Sequence, residues 1–317
     1  MKVLFASDGS GDSMEAARFI QRLSRHNELD VHVLTVSYAA DSVGRTAVQP
    51  WSAEWDLKET RRVEELHAEL MMMLSQHCRT VVMKRRSGHT VKNILEEANE
   101  YQADLIVLGA RGHSMLHRVL LGSVSDSVAT HAHCSVAVVR PDRPQNLDSA
   151  DSLTESTASA SADGLRIMVG YDQSIGAREA VNELCGIQWG ESSSVTLLSV
   201  ASPPFPFEQD SFAVMEPSWE TDEMERVRCG GERMASVVAD SIPNTTTQVC
   251  RARHPGEAIV DAAQESGSDL VVVGETTHSL IGQWFLGGTS RHVLRHCPCS
   301  VWISRHHRQR QETAIDS

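Results

Sequence analysis

Apolar residues gather in short runs at 2–7, 31–36, 80–84, 105–108 and 135–139, and between these runs they recur at three- and four-residue intervals. Such short runs read as strands buried on both faces; the wider spacing reads as helices with one apolar side. After a cap at Asp12 or Ser13, the positions Ala16, Ala17, Phe19, Ile20 and Leu23 predict a first helix. A long connection through Pro50 and Trp51 leads to a helix over 54–76, with Val63, Leu66, Leu70, Met73 and Leu74 on one side, and further helices are predicted at 91–101 and 123–132. Strand and helix alternate throughout, so a doubly wound α/β fold with a parallel sheet is expected. Ligands of such sheets sit beyond the carboxyl ends of the strands, where strand order reverses. The first and fourth strands end at Asp8 and Gly109, which are therefore expected to meet.

The pattern then repeats. Residues 103–109, ADLIVLG, echo residues 268–274, SDLVVVG, at an offset of 165, as Cys134-Ser135-Val136 echoes Cys299-Ser300-Val301; Asp8 returns as Asp172 at 164. A period of that length is a whole domain rather than a solenoid repeat. Two similar domains are expected at 1–140 and 165–304. Between them, residues 141–164 are rich in Ser, Ala and Asp without an aromatic residue, which reads as a flexible acidic linker, and 305–317 read as a disordered tail.

Composition narrows the class of partner. The net charge of −13 divides unevenly, −1 over residues 1–140, −4 over 141–163 and −8 over 164–317. An acidic chain with one short basic tail cluster argues against nucleic acid, and a polyanionic ligand should prefer the first half. The opening apolar run is too short for a secretory signal, and no run approaches membrane-spanning length. Seven cysteines, an odd number, fit a reducing compartment, so the expected location is the cytoplasm.

Candidate chemistry centres on GARGHSMLHRVLLGS, residues 109–123, where Gly109, Gly112 and Gly122-Ser123 stand at a spacing of Gly-x2-Gly-x9-Gly-Ser directly after the fourth strand. Glycines let main chain approach a ligand, and a Gly-Ser pair opening a helix offers N–H groups and a hydroxyl to an anion. A phosphate is the expected guest. Together with the SDGS turn holding Asp8, Val36 in the second strand and the SGHTVKNILEEA segment, this loop resembles the ATP-binding branch of the universal stress protein family. The resemblance covers both halves. It implies five-stranded sheets in the order 3-2-1-4-5, an adenine nucleotide alpha hydrolase-like fold, pairing of such domains, and binding of ATP, AMP or ADP without a catalytic apparatus, with Mg²⁺ brought by a triphosphate. Carried over, the nucleotide would meet Ala6, Ser7 and Asp8 at the first strand, with Asp8 on the ribose or adenine side, and backbone of Val36 at the adenine. Leu108, Gly109, Arg111 and Gly112 would wrap the phosphates, and Gly122, Ser123, Val124 and Ser125 would receive their oxygens at the helix start. The two halves would pack as a pseudo-dimer through their fifth strands, and whole chains would pair again. The implied role is a nucleotide-dependent stress-response regulator or survival factor.

The second copy of the loop, residues 274–288, departs from the pattern. Glu275, Thr276 and Thr277 stand for Ala110, Arg111 and Gly112, and Gly288 stands for Ser123, although Thr289 and Ser290 keep hydroxyls nearby. The second site is therefore expected to be empty or weak, its domain mainly structural. Two rival functions remain at this level. The run Asp8-Gly9-Ser10-Gly11-Asp12-Ser13 partly matches the pyrophosphate loop of adenylating ATP pyrophosphatases, failing at two of six positions, and a nucleotide-free interaction protein would use pairing alone. No Walker lysine or nucleophile-base-acid set emerges, so at most slow ATP hydrolysis is expected. His131, His133 and Cys134, and Cys297 with Cys299, have metal-like spacing but fall at helix-to-strand turns, where a structural role is expected. His113 and His117 are expected to be solvent-exposed, and Met71, Met72 and Met73 to fill core gaps.

Overall fold

The computed structural model describes residues 1–37, 51–112, 121–141, 164–202, 218–275 and 286–305, with side chains omitted at 51–56 and 218–220. The expectations for Pro50, His113, His117, Thr276, Thr277, most of the linker and the tail past residue 305 fall outside these residues.

The first half runs β1 (Lys2–Ala6), α1 (Gly11–Ser24), β2 (Asp30–Ser37), α2 (Trp51–Leu74), β3 (Thr80–Ser87), α3 (Thr90–Tyr101), β4 (Leu105–Gly109), α4 (Ser123–His131) and β5 (Ser135–Val139). Its sheet has the order β3-β2-β1-β4-β5, with every pairing parallel. The second half repeats it as β6 (Arg166–Gly170), α5 (Ile175–Cys185), β7 (Ser194–Ala201), α6 (Ser218–Ala239), β8 (Thr245–Arg251), α7 (Pro255–Glu265), β9 (Leu270–Gly274), α8 (Gly288–His296) and β10 (Ser300–Ser304), ordered β10-β9-β6-β7-β8. Read from its third strand, each half has the order 3-2-1-4-5. By packing, the described residues fall into two compact units, one built on Met1–Arg140 and the other on the second half.

Continuous apolar strands form because helices cover both faces of each sheet. In the first half, α1 packs on β4 and β5, and α3 packs on β1 and β2. Val3, Leu4 and Phe5 of β1 are sealed from solvent, as are all five residues of β4 and of β5. Each such large side chain contributes about 1.5–3 kcal/mol on burial.

Two local expectations are corrected. α1 starts earlier than expected: Ser10, not Asp12 or Ser13, is the N-cap, its hydroxyl accepting from the Ser13 N–H at 3.3 Å. Asp12 lies inside the first turn, where its carboxylate accepts from Arg111. Met72 is 69% exposed, so the methionine run does not lie wholly in the core; α2 turns that position outward while Leu70 and Leu74 face in.

Candidate nucleotide site

The reversal of strand order falls between β1 and β4, and the two strands end side by side, Ala6 opposite Leu108. The chain leaves β1 through Ser7 and Asp8 into a tight turn in which Asp8 Oδ1 accepts the Ser10 N–H at 2.9 Å. Arg62 from α2 donates to the Asp8 carbonyl at 2.9 Å, fixing the turn from the other side. Beyond β4 the main chain passes over α1. A Cβ on Gly109 would stand 2.6 Å from the Asp12 carbonyl carbon, and one on Gly112 would stand 2.6 Å from Asp8 Oδ2. At Gly109 the neighbours are backbone atoms of Asp12 and Ser13, so glycine is a steric requirement there, whereas a side chain at position 112 would be admitted only by turning the Asp8 carboxylate aside.

The loop then returns to Gly122, whose N–H bonds to the Ala110 carbonyl at 2.7 Å and which opens α4 without a side-chain cap. The first N–H groups of a helix have no partner within it, and Gly122 supplies none. The amides of Ser123, Val124 and Ser125 thus form a concentration of partial positive charge at the mouth of the crevice.

These pieces enclose a cavity of about 280 Å³, near the lower end of the roughly 300–1,000 Å³ usual for small-molecule sites. Its wall brings together Ala6, Ser7, Asp8, Val36, Leu108, Gly109, Arg111, Gly112, Gly122, Ser123, Val124 and Ser125, all twelve residues singled out from the sequence. Sequence reasoning missed three others, Ser13 of α1 and Thr90 and Ile94 of α3. The last two lie in the segment that carried the family resemblance, and their helical spacing on the side facing β1 and β2 was the available signal.

Two side chains of the wall are engaged within the protein. The Arg111 guanidinium, between the two glycines, is held by Asp12, with Nε donating to Oδ2 at 2.9 Å and Nη2 to Oδ1 at 3.1 Å. The Arg111 N–H also reaches Asp12 Oδ2 at 3.1 Å, and its carbonyl accepts from Ser10 Oγ at 3.1 Å. Hydrogen bonding to Asp12 pushes the Arg111 pKa above its ordinary value. The Ser125 hydroxyl is buried and donates to the Gly109 carbonyl at 2.8 Å, which leaves its backbone N–H as the group it offers.

The second half keeps a cavity of about 270 Å³ in the same place, walled by Asp172, Val200, Ile259, Gly274, Thr289 and Ser290 among others. Tyr171 stands where the first half has Ser7, and Gly176 where it has Asp12. The sequence changes have therefore altered the lining without closing the space.

Residues 1–140 and again 165–305 match the model of the universal stress protein family. The chain belongs to that family. A universal stress protein of Methanocaldococcus jannaschii is 31% identical over 139 residues, 44% of this chain and 81% of that one. A putative universal stress protein of Staphylococcus aureus is 29% identical over 140 residues, 44% of this chain and 82% of its own length. Among solved structures, a universal stress protein from Archaeoglobus fulgidus superposes with a TM-score of 0.62 at 18% identity, covering 96% of each chain. That breadth agrees with two tandem universal stress protein domains.

The cavity offers an apolar wall from Val36, Ile94 and Leu108, one carboxylate at Asp8 and a helix start. Among the described residues no group of three or more His, Cys, Asp or Glu side chains converges to hold a metal, and no helix is long and apolar enough to cross a membrane.

Proposed function

We propose that the first domain binds ATP, with AMP or ADP as the alternative nucleotides, and that the chain acts as a nucleotide-dependent regulator in the stress response. One observation carries this reading: the uncapped start of α4 opens into a cavity that Gly112 keeps clear beside the Asp8 carboxylate. Phosphate oxygens meet N–H groups and a hydroxyl at Ser123, the ribose hydroxyls meet Asp8, and the adenine lies against Val36 and Ile94. Each charge-assisted hydrogen bond contributes on the order of 1.5–3 kcal/mol, so a few suffice for micromolar affinity. Any Mg²⁺ enters with the triphosphate, bound by its oxygens and water. The two tandem domains fit an intramolecular pair, and the expected compartment is the cytoplasm.

An adenylating pyrophosphatase is less well supported. Its loop would need main chain from Asp8 to Ser13 free to cradle pyrophosphate, whereas here Ser10 caps α1 and Asp12 is committed to Arg111.

Calorimetric titration of the full chain with Mg·ATP tests the proposal, alongside identification of nucleotide released on denaturation. Wild type should bind with a micromolar Kd. Gly112→Ala, whose methyl would press on Asp8 Oδ2, should lose at least tenfold. A wild-type chain that takes up no adenine nucleotide at millimolar concentration would overturn the reading.

A further inference from the structure

Cys297 and Cys299 flank Pro298 where α8 passes into β10, and their sulfurs lie 3.4 Å apart. Main chain fixes this closeness from both ends. The Cys297 N–H closes α8 on the Val293 carbonyl at 2.9 Å, and the Ser300 N–H is bonded to the Asp269 carbonyl at 3.3 Å. Residues two apart share one side even in an extended chain, but with Cα atoms roughly 6.5–7 Å apart; the bend at Pro298 and Cys299 accompanies a much closer approach of the two sulfurs. Cys297 is fully buried and Cys299 is half-buried. The first half has Ala132 where the second has Cys297, so the Cys-x-Cys spacing is a feature of the second half. A metal is not the natural guest: two sulfurs are half of a zinc set, and no third ligand joins them among the described residues.

We propose that Cys297 and Cys299 are a reversible disulfide site that takes a hydroperoxide as its oxidant. The thiolate of Cys299, the more accessible sulfur, attacks the terminal peroxide oxygen; the O–O bond breaks, Cys299 becomes a sulfenic acid, and the departing oxygen takes up the proton released when the thiol ionised, leaving as water from hydrogen peroxide or as an alcohol from an organic hydroperoxide. The Cys297 sulfur then attacks the sulfenic sulfur, the S–O bond breaks, and the hydroxide leaves with the Cys297 proton as water. Two thiols lose two electrons and the peroxide gains them. Closing to a bonded distance of about 2.05 Å needs a shift of roughly 1.4 Å, within reach of side-chain rotation. A ring spanning only three residues is strained, which makes the bond easy to reduce, so a dithiol reverses it.

The reduced full chain is treated with equimolar hydrogen peroxide, unfolded in N-ethylmaleimide and mapped by peptide mass spectrometry. The peptide holding residues 297 and 299 should be lighter by two hydrogens and carry no label, and dithiothreitol should restore both labels. In Cys297→Ser, Cys299 should stop at the sulfenic acid and be captured by dimedone. Full labelling of both cysteines in peroxide-treated wild type overturns the proposal, as does a disulfide from either one to another cysteine or irreversible sulfinic acid. The wild-type arm decides even where the variant fails to fold.

Discussion

Asp12 and Arg111 are 99 residues apart in sequence and share two side-chain hydrogen bonds and one from backbone. The pair pins the first turn of the glycine loop to α1, so the loop is shaped before any ligand arrives, at the cost of neutralising the nearest cation. Bidentate geometry and burial of Asp12 lift it above an ordinary surface pair. A double-mutant cycle with Asp12→Asn and Arg111→Gln, read by urea unfolding, should give a coupling of about 1–2 kcal/mol. Additive effects would mean that the pair is incidental. At this scale Asp8 and the glycines were legible because their meaning lies in short local patterns. The role of Asp12 was not, because its partner belongs to another strand's loop.

α3 brings Thr90 and Ile94 to the cavity, and Glu97, further along the same buried stripe, helps to hold it there. The Glu97 side chain is 0% exposed, yet Lys84 lies 2.8 Å from Oε1 and Arg86 2.7 Å from Oε2. His32, stacked on Tyr101, reaches Oε1 at 3.2 Å. Burial pushes the Glu97 pKa up, but hydrogen bonds from Lys84 and His32 and the charges of Lys84 and Arg86 outweigh it and hold the carboxyl below its ordinary value. Asp30 is held down to about 2, chiefly by hydrogen bonds from Arg79 and Thr80. A carboxylate with a depressed folded pKa stabilises the fold above its unfolded value, near 4 for both groups, and loses that contribution as pH falls through the folded one. The urea midpoint should therefore drop as pH falls from about 4.5 towards 2. Glu97→Gln should lower stability at pH 7 by about 2 kcal/mol, below the roughly 3–5 of a sealed pair because Lys84 and Arg86 can turn to solvent. It should also flatten the acid limb; an unchanged limb would remove Glu97 from this account. Hydrophobic period placed the strands and helices correctly. Their ends moved by a few residues, as where β3 extends from the expected 84 to Ser87, because ladder partners in β2 continue beyond the apolar run.

Over the whole chain, duplication has kept two cavities of nearly equal size, so volume does not distinguish them. Chemistry does: the second domain replaces Ser123 with Gly288 and Asp12 with Gly176, and it carries the larger share of negative charge. A polyanion should therefore fill the first cavity alone. Quantified nucleotide released from protein saturated with Mg·ATP should give one per chain, and two per chain would show that the second lining still suffices.

Sequence by itself determined the duplicated α/β architecture, the strand ends that meet and the family, because periodicity and glycine spacing are local properties of the chain. Tertiary structure alone decided that Arg111 faces a carboxylate, that the Ser125 hydroxyl is occupied, that Thr90 and Ile94 join the wall, and that the second cavity stays open. Each of those depends on which distant groups packing brings within hydrogen-bonding reach, and one-dimensional spacing carries no record of that distance.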